Sequence, residues 1–125
     1  MRVLLDTHVV LWQLEGSRIL SSAAREAIEQ ASDLLFSTVS FAEIGVKAAI
    51  GKLSVPVDLR EHVLASGVQI LPLDPGHGLA VADLPLHHRD PFDRLLVAQA
   101  RAEHLTMITS DRRLAAYDLP VVDAG

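Results

Sequence analysis

The chain has 125 residues, half of them apolar, and a formal net charge of −5, which is the size and composition of one ordinary globular domain with a single core. It has no cysteine, so disulfides, thiolate zinc sites and a cysteine nucleophile are excluded, and any metal must be held by oxygen or imidazole. The acidic balance argues against a general nucleic-acid coat protein, which needs a basic face against phosphate, but does not exclude a nuclease, since an acidic metal pocket lowers the net charge by itself.

The opening MRVLLDTHVVLWQL reads as a short buried strand from Val3 to Leu5 and then a helix from Val9 to Leu14. Asp6 and His8 interrupt the apolar run and no small-residue cleavage site follows, so a folded start is expected rather than a signal peptide. No run approaches the length of a membrane span, and the expected compartment is the cytoplasm. Ser21 is placed to cap a helix in which Ala24, Ala27, Ile28 and Ala31 recur at helical spacing. A second strand is predicted from Leu34 to Phe36, and a helix from Ser40 to Gly51, where glycine ends it. A short helix from Asp58 to Ser66 and a strand from Val68 to Leu71 follow. Asp74-Pro75 opens a helix through Ala82, and Asp90-Pro91 opens another that runs to His104, with proline at the first helical position each time. A strand from Thr106 to Thr109, a short helix from Arg112 to Tyr117 and a last strand at Val121-Val122 complete the chain. Strands alternating with helices predict an α/β domain whose parallel sheet, of about four or five strands, is covered on both faces.

Four acidic residues, Asp6, Glu43, Asp93 and Asp111, fall where strands end or helices begin. In a parallel sheet these positions meet at the carboxyl edge, where open α/β sheets place their active sites. Two unit charges ~4 Å apart repel by about 4 kcal/mol at an effective dielectric near 20, so a divalent cation is the simplest compensation. Hard oxygen ligands suit Mg²⁺ or Mn²⁺. Each acid also has a structural reading. Ser40 and Glu43 fit the S-x-x-E capping box, and Glu43 stands four residues before Lys47, as in a helix-surface ion pair. Asp90 and Asp93 complement a helix N-terminus, and Asp111 can cap the helix it precedes. Asp6, directly after a buried strand, needs either hydrogen-bond donors or a cation. Of the six histidines, His87 and His88 flank Asp90, but neighbouring side chains in a loop diverge, and no H-x-x-x-H or HExxH pair points to zinc. No nucleophile elbow, P-loop or dinucleotide fingerprint is present.

The stretches LLDTHVVLW, SFAEIGVKAAIGKL, HHRDPFDRLLVAQA and MITSDRRLAAY, in that order over essentially the whole chain, resemble the PIN-domain family, and more narrowly the VapC toxins of bacterial toxin-antitoxin pairs. The resemblance implies a three-layer α/β/α domain and a metal-dependent endoribonuclease that leaves a 5′-phosphate and a 3′-hydroxyl. It carries the family's acidic quartet onto Asp6, Glu43, Asp93 and Asp111, with Asp6, Asp93 and Asp111 on the metal. Its hydroxyl residue falls on Thr109, and Asp90 matches a supporting acidic position. It also implies an RNA substrate, an antitoxin that occludes the acidic pocket, often with a basic side chain, and a homodimer. Arg94 and Arg112, beside the acidic motifs, are the candidates to guide the RNA backbone. Rival readings are a receiver-like phosphoacceptor, which lacks its paired acid because Thr7 follows Asp6, a dehalogenase-like phosphatase, which lacks its second aspartate where His8 stands, and a non-catalytic acidic-pocket binding module.

Overall fold

A computed structural model describes residues 1–125. Five strands, β1 (Arg2–Leu5), β2 (Asp33–Ser37), β3 (Gln69–Leu71), β4 (Thr106–Thr109) and β5 (Val121–Asp123), form one sheet in the order β3-β2-β1-β4-β5. Every neighbouring pair is parallel. The helices are α1 (Thr7–Glu15), α2 (Ser22–Gln30), α3 (Thr38–Ala49), α4 (Leu59–Ala65), α5 (Pro75–Ala80) and α6 (Pro91–Ala102), with 3-10 turns at Val81–Asp83 and Arg112–Ala116. None is long and apolar enough to cross a membrane.

The central strands are apolar at successive positions because both faces are covered. Val3 and Leu5 of β1, with Phe36 and Ile108, pack against residues of α1, α2 and α4 on one side. Leu4 points the other way and joins Leu35 and Met107 beneath α6, Leu114 and Tyr117. This alternation is the two-residue period of a strand seen from both faces. The outcome is the three-layer α/β/α arrangement implied by the resemblance. α3 serves both layers, with Ile44 in the first cluster and Val39 in the second.

β1 pairs with β2 on one side and with β4 on the other, Leu4 lying opposite both Leu35 and Met107. The chain thus winds outward to β3 and returns to β4, so β1 and β4 flank the topological switch point, where the carboxyl ends leave a crevice. This order differs from the 2-1-3-4-5 order of flavodoxin-like folds and removes the receiver-like reading.

The third helix begins earlier than expected. Ser37, the last residue of β2, accepts a hydrogen bond from the Val39 amide at 3.0 Å and caps α3, so the helix starts at Thr38 with no intervening loop. Ser40 and Glu43 therefore lie inside the helix, and the predicted capping box between them does not form. Such an exchange occurs instead at α5, between Asp74 and His77. At α1, Gly16 ends the helix at φ +64°, a left-handed conformation that costs glycine little.

Beneath the sheet edge, the Ser37 hydroxyl donates to Gln99 Oε1, and Gln99 Nε2 donates to the Pro72 carbonyl at 3.3 Å. Gln99 is fully buried, and it joins β2, α6 and the segment after β3 from a side chain that has no access to water. Replacing it with a near-isosteric apolar side chain leaves these partners unsatisfied. Gln99→Leu is expected to lower the unfolding free energy by about 1–3 kcal/mol, measured by urea denaturation.

Candidate active site

Asp6 leaves β1 at the switch point and caps α1, its Oδ1 accepting from the Thr7 amide at 2.8 Å. Its Oδ2 accepts from the Thr109 hydroxyl at 2.7 Å, a bond that crosses from β1 to the end of β4. Thr109 Oγ1 in turn accepts from the Asp111 amide at 3.0 Å. The Asp6 carboxyl is buried, which raises its pKa, while the bonds from Thr109 and Thr7 oppose the shift and the nearby Glu43 charge adds to it.

The Thr7 hydroxyl turns toward α3, donating to Glu43 Oε1 at 2.6 Å and lying 2.8 Å from the Ser40 hydroxyl. Glu43 is 2% exposed although it sits on a helix, because this face of α3 closes the crevice. Its second oxygen accepts from Lys47 Nζ, the expected four-residue ion pair. Lys47 also stands 4.0 Å from Asp90 Oδ2. Burial works to lower the Lys47 pKa, but the bond to Glu43 and the charges of Glu43, Asp90 and Asp93 outweigh it and raise the pKa.

Asp90 caps α6, accepting from the amides of Phe92 (2.8 Å) and Asp93 (3.1 Å), so its capping reading holds. Asp93 lies one turn in and receives no comparable donation. Desolvation, then the charges of Asp6, Asp90, Glu43 and Asp111, push its pKa up to about 8. Asp111 is the opposite case. It caps the second 3-10 turn and takes Arg113 as a bidentate partner, Nε to Oδ1 at 3.0 Å and Nη2 to Oδ2 at 2.9 Å. That hydrogen bonding outweighs partial desolvation and, with His88, holds the carboxyl at about 2.

His88, which its loop position did not single out, closes the arrangement. The ring is 6% exposed. Its Nε2 lies 2.8 Å from Asp111 Oδ2 and 3.2 Å from Asp93 Oδ2, while Nδ1 accepts from the Asp90 amide at 3.0 Å. Polar contacts therefore run in a closed ring from Asp6 through Thr7, Glu43, Lys47, Asp90, His88, Asp111 and Thr109 back to Asp6. Thr7 and His88 were not predicted as members. The available signals were a hydroxyl residue at the first helical position after Asp6, and a histidine two residues before a capping aspartate.

The two arginines separate. Arg94, expected to guide a substrate backbone, donates instead to the carbonyls of Val81 (3.1 Å), Leu84 (3.3 Å), Pro85 (3.1 Å) and His88 (3.4 Å), and to the Tyr117 hydroxyl (3.4 Å). It ties the 81–88 segment to α6, because carbonyls of an irregular loop need donors that no ladder supplies. Arg112 is 89% exposed and 3.5 Å from Asp123, a position from which it can still meet a large ligand.

Carboxylate oxygens of Glu43, Asp90 and Asp93 lie within 4.8 Å of one another, as do the ligand atoms of His88, Asp93 and Asp111. Asp93 belongs to both groups. The donor set is hard oxygen with a surplus of negative charge, which fits a divalent cation of the Mg²⁺ or Mn²⁺ type. A cavity of about 290 Å³ between α5 and α6, lined by Ala80, Asp83, Leu84, Ala98, Arg101 and Ala102, contains none of these residues.

Residues 3–119 match the PIN domain. The chain belongs to the PIN-domain family. It is 34% identical over 126 residues to Ribonuclease VapC22 of Mycobacterium tuberculosis (strain ATCC 25618 / H37Rv), covering 94% of this chain and 93% of that protein. In structure it is similar to VapBC2 from Rickettsia felis bound to a DNA fragment from its promoter, with a TM-score of 0.73 at 13% identity over the whole of both chains. DNA-bound VapBC from Salmonella typhimurium gives 0.71 at 16% identity over 98% of each chain. At these identities the structural likenesses establish the fold.

The raised Asp93 pKa makes the metal-free protein sensitive to pH. An unfolded chain releases the Asp93 proton near 3.8, whereas the folded protein holds it to about 8. Between those values the native state binds more protons, so stability falls as pH rises through that window. Thermal melts in EDTA are expected to show the fall, and Asp93→Asn is expected to flatten it and to melt higher than wild type at the alkaline end. An unchanged slope in the variant would remove Asp93 as its source.

Proposed function

We propose that this protein is a metal-dependent endoribonuclease and the toxin of a toxin-antitoxin pair. The observation that carries the reading is the convergence of Asp6, Glu43, Asp93 and Asp111 at the β1/β4 switch point, with Asp93 left short of compensating charge. The VapC ribonuclease relative, matched over nearly its full length, supports the same activity.

In this reading Asp6, Asp93 and Asp111 hold Mg²⁺ or Mn²⁺, directly or through water. A bound divalent ion lowers the pKa of the attacking water and neutralises charge that builds on the phosphate in the transition state. Glu43 orients that water. Both of its oxygens are already engaged, by Thr7 and Lys47, so its carboxylate is fixed in place. Thr109 holds Asp6 against β4, and Asp90 supports Asp93 through the helix cap. Arg113 must yield part of its grip for Asp111 to face an ion; at 68% exposure it is free to swing. Arg112, on the same rim, is positioned to meet the RNA backbone. Hydrolysis by water, with no covalent intermediate, leaves a 5′-phosphate and a 3′-hydroxyl.

The partners follow from the same charge. The acidic crevice suits a basic side chain delivered by an antitoxin, in keeping with the VapBC complexes that share the fold. The protein is proposed to act in the cytoplasm as a homodimer.

Purified protein incubated with total cellular RNA is expected to give discrete fragments with Mg²⁺ or Mn²⁺ and none with EDTA. Asp6→Asn and Asp93→Asn are expected to slow cleavage by more than about 100-fold, beyond the 10- to 100-fold typical of losing an outer-shell partner of a metal ligand. Equal degradation by wild type and both variants would remove the nuclease reading and leave a binding module.

A further inference from the structure

His88 is the one ring member whose chemistry the proposed reaction does not use, and its surroundings are unusually determined. Its amide donates to the Tyr117 hydroxyl at 3.0 Å, and its carbonyl accepts from Arg94 at 3.4 Å. The backbone at this loop position is therefore fixed from two directions. The ring is buried, with Nδ1 on the Asp90 amide and Nε2 between Asp93 and Asp111.

Proximity alone would make His88 a metal ligand, since its Nε2 and the two carboxylates form a three-member group of suitable size. The hydrogen bond at Nδ1 says otherwise. A backbone N–H can only donate, so Nδ1 is an acceptor and the proton of the neutral ring sits on Nε2. An Nε2 that carries a proton has no lone pair for a cation. Ligation would require moving the proton to Nδ1, where two donors would face each other across 3.0 Å.

We infer that His88 is a positioning residue that holds Asp111 for the metal through its Nε2–H, beside Asp93 Oδ2 at 3.2 Å, with its tautomer locked by the Asp90 amide, and does not itself ligate the ion. The inference rests on the metal-dependent reading above. By occupying Asp111 Oδ2, the N–H fixes that carboxylate close to Asp93, whose Oδ2 lies 3.2 Å from the same nitrogen, and leaves the other Asp111 oxygen to face a cation. The Asp90 amide thereby links the start of α6 to the orientation of the site: one residue caps the helix with its side chain and sets a histidine tautomer with its backbone.

Two measurements test this. Long-range ¹H–¹⁵N correlation on the metal-free protein is expected to show His88 as the Nε2–H tautomer, unchanged when Mg²⁺ is added. An Nδ1–H tautomer in either state would overturn the assignment. Mn²⁺ titration by calorimetry is expected to show binding about 10- to 100-fold weaker in His88→Ala. In His88→Gln, whose amide N–H can stand in for Nε2–H, most of the affinity should be restored. Wild-type affinity in the alanine variant would overturn the positioning role while leaving the metal site intact. Equal loss in the glutamine and alanine variants would also overturn it. Failure of wild type to bind Mn²⁺ would overturn the metal reading and this inference together. Should the alanine variant fail to fold, the tautomer and the glutamine variant still decide.

Discussion

Like-charge repulsion at the carboxyl edge of β1 and β4 is the constraint around which this molecule is arranged. Four carboxylates are brought to one crevice, and each must be held against its neighbours. The protein answers with local donors of different kinds: a strand-end hydroxyl for Asp6, a helix hydroxyl and an ammonium for Glu43, a guanidinium for Asp111. Asp93 alone is left with too little, and its pKa records the shortfall. A site satisfied everywhere would have no use for a cation; one satisfied nowhere would not fold. The uneven distribution of donors places the demand for positive charge at one residue, which both groups of close ligand atoms share.

Structural and functional readings of the acids are not alternatives here. Asp6, Asp90 and Asp111 each cap a helical segment with one carboxylate oxygen while standing in the acidic ring. A cap fixes the side chain at a helix N-terminus, where the macrodipole favours its negative charge. The same bonds that begin the helices aim the acids at the crevice. Glu43 is the exception: its helix has another cap in Ser37, which frees it to be held wholly by Thr7 and Lys47.

Much of this was legible in the sequence, for identifiable reasons. Burial on both faces leaves short continuous apolar runs, so all five strands were found, and a carboxylate directly after such a run marked Asp6. The start of α3 was misplaced because Ser37, Thr38 and Ser40 are all capping residue types, and only the strand register decides which of them ends β2. The partners of Arg94 were not legible because its neighbours in sequence are acidic, whereas it bonds to carbonyls of a loop that the sequence does not show folding back. His88 was weighed with His87 for a zinc site and set aside; its orientation depends on Tyr117 and Arg94, which meet it only in the folded chain.

The strand order also bears on how the protein comes into being. The crevice takes Asp6 from β1, Glu43 from α3, Asp93 from α6 and Asp111 from beyond β4, and β4 lies beside β1 although almost the whole chain separates them. A contact of such long sequence separation forms late, after the loop-closure entropy of the intervening chain has been overcome. A growing chain emerging from the ribosome therefore lacks Thr109 and Asp111 until β4 and the residues just past it have been made. The acidic crevice stays unassembled until β4 has emerged and paired with β1.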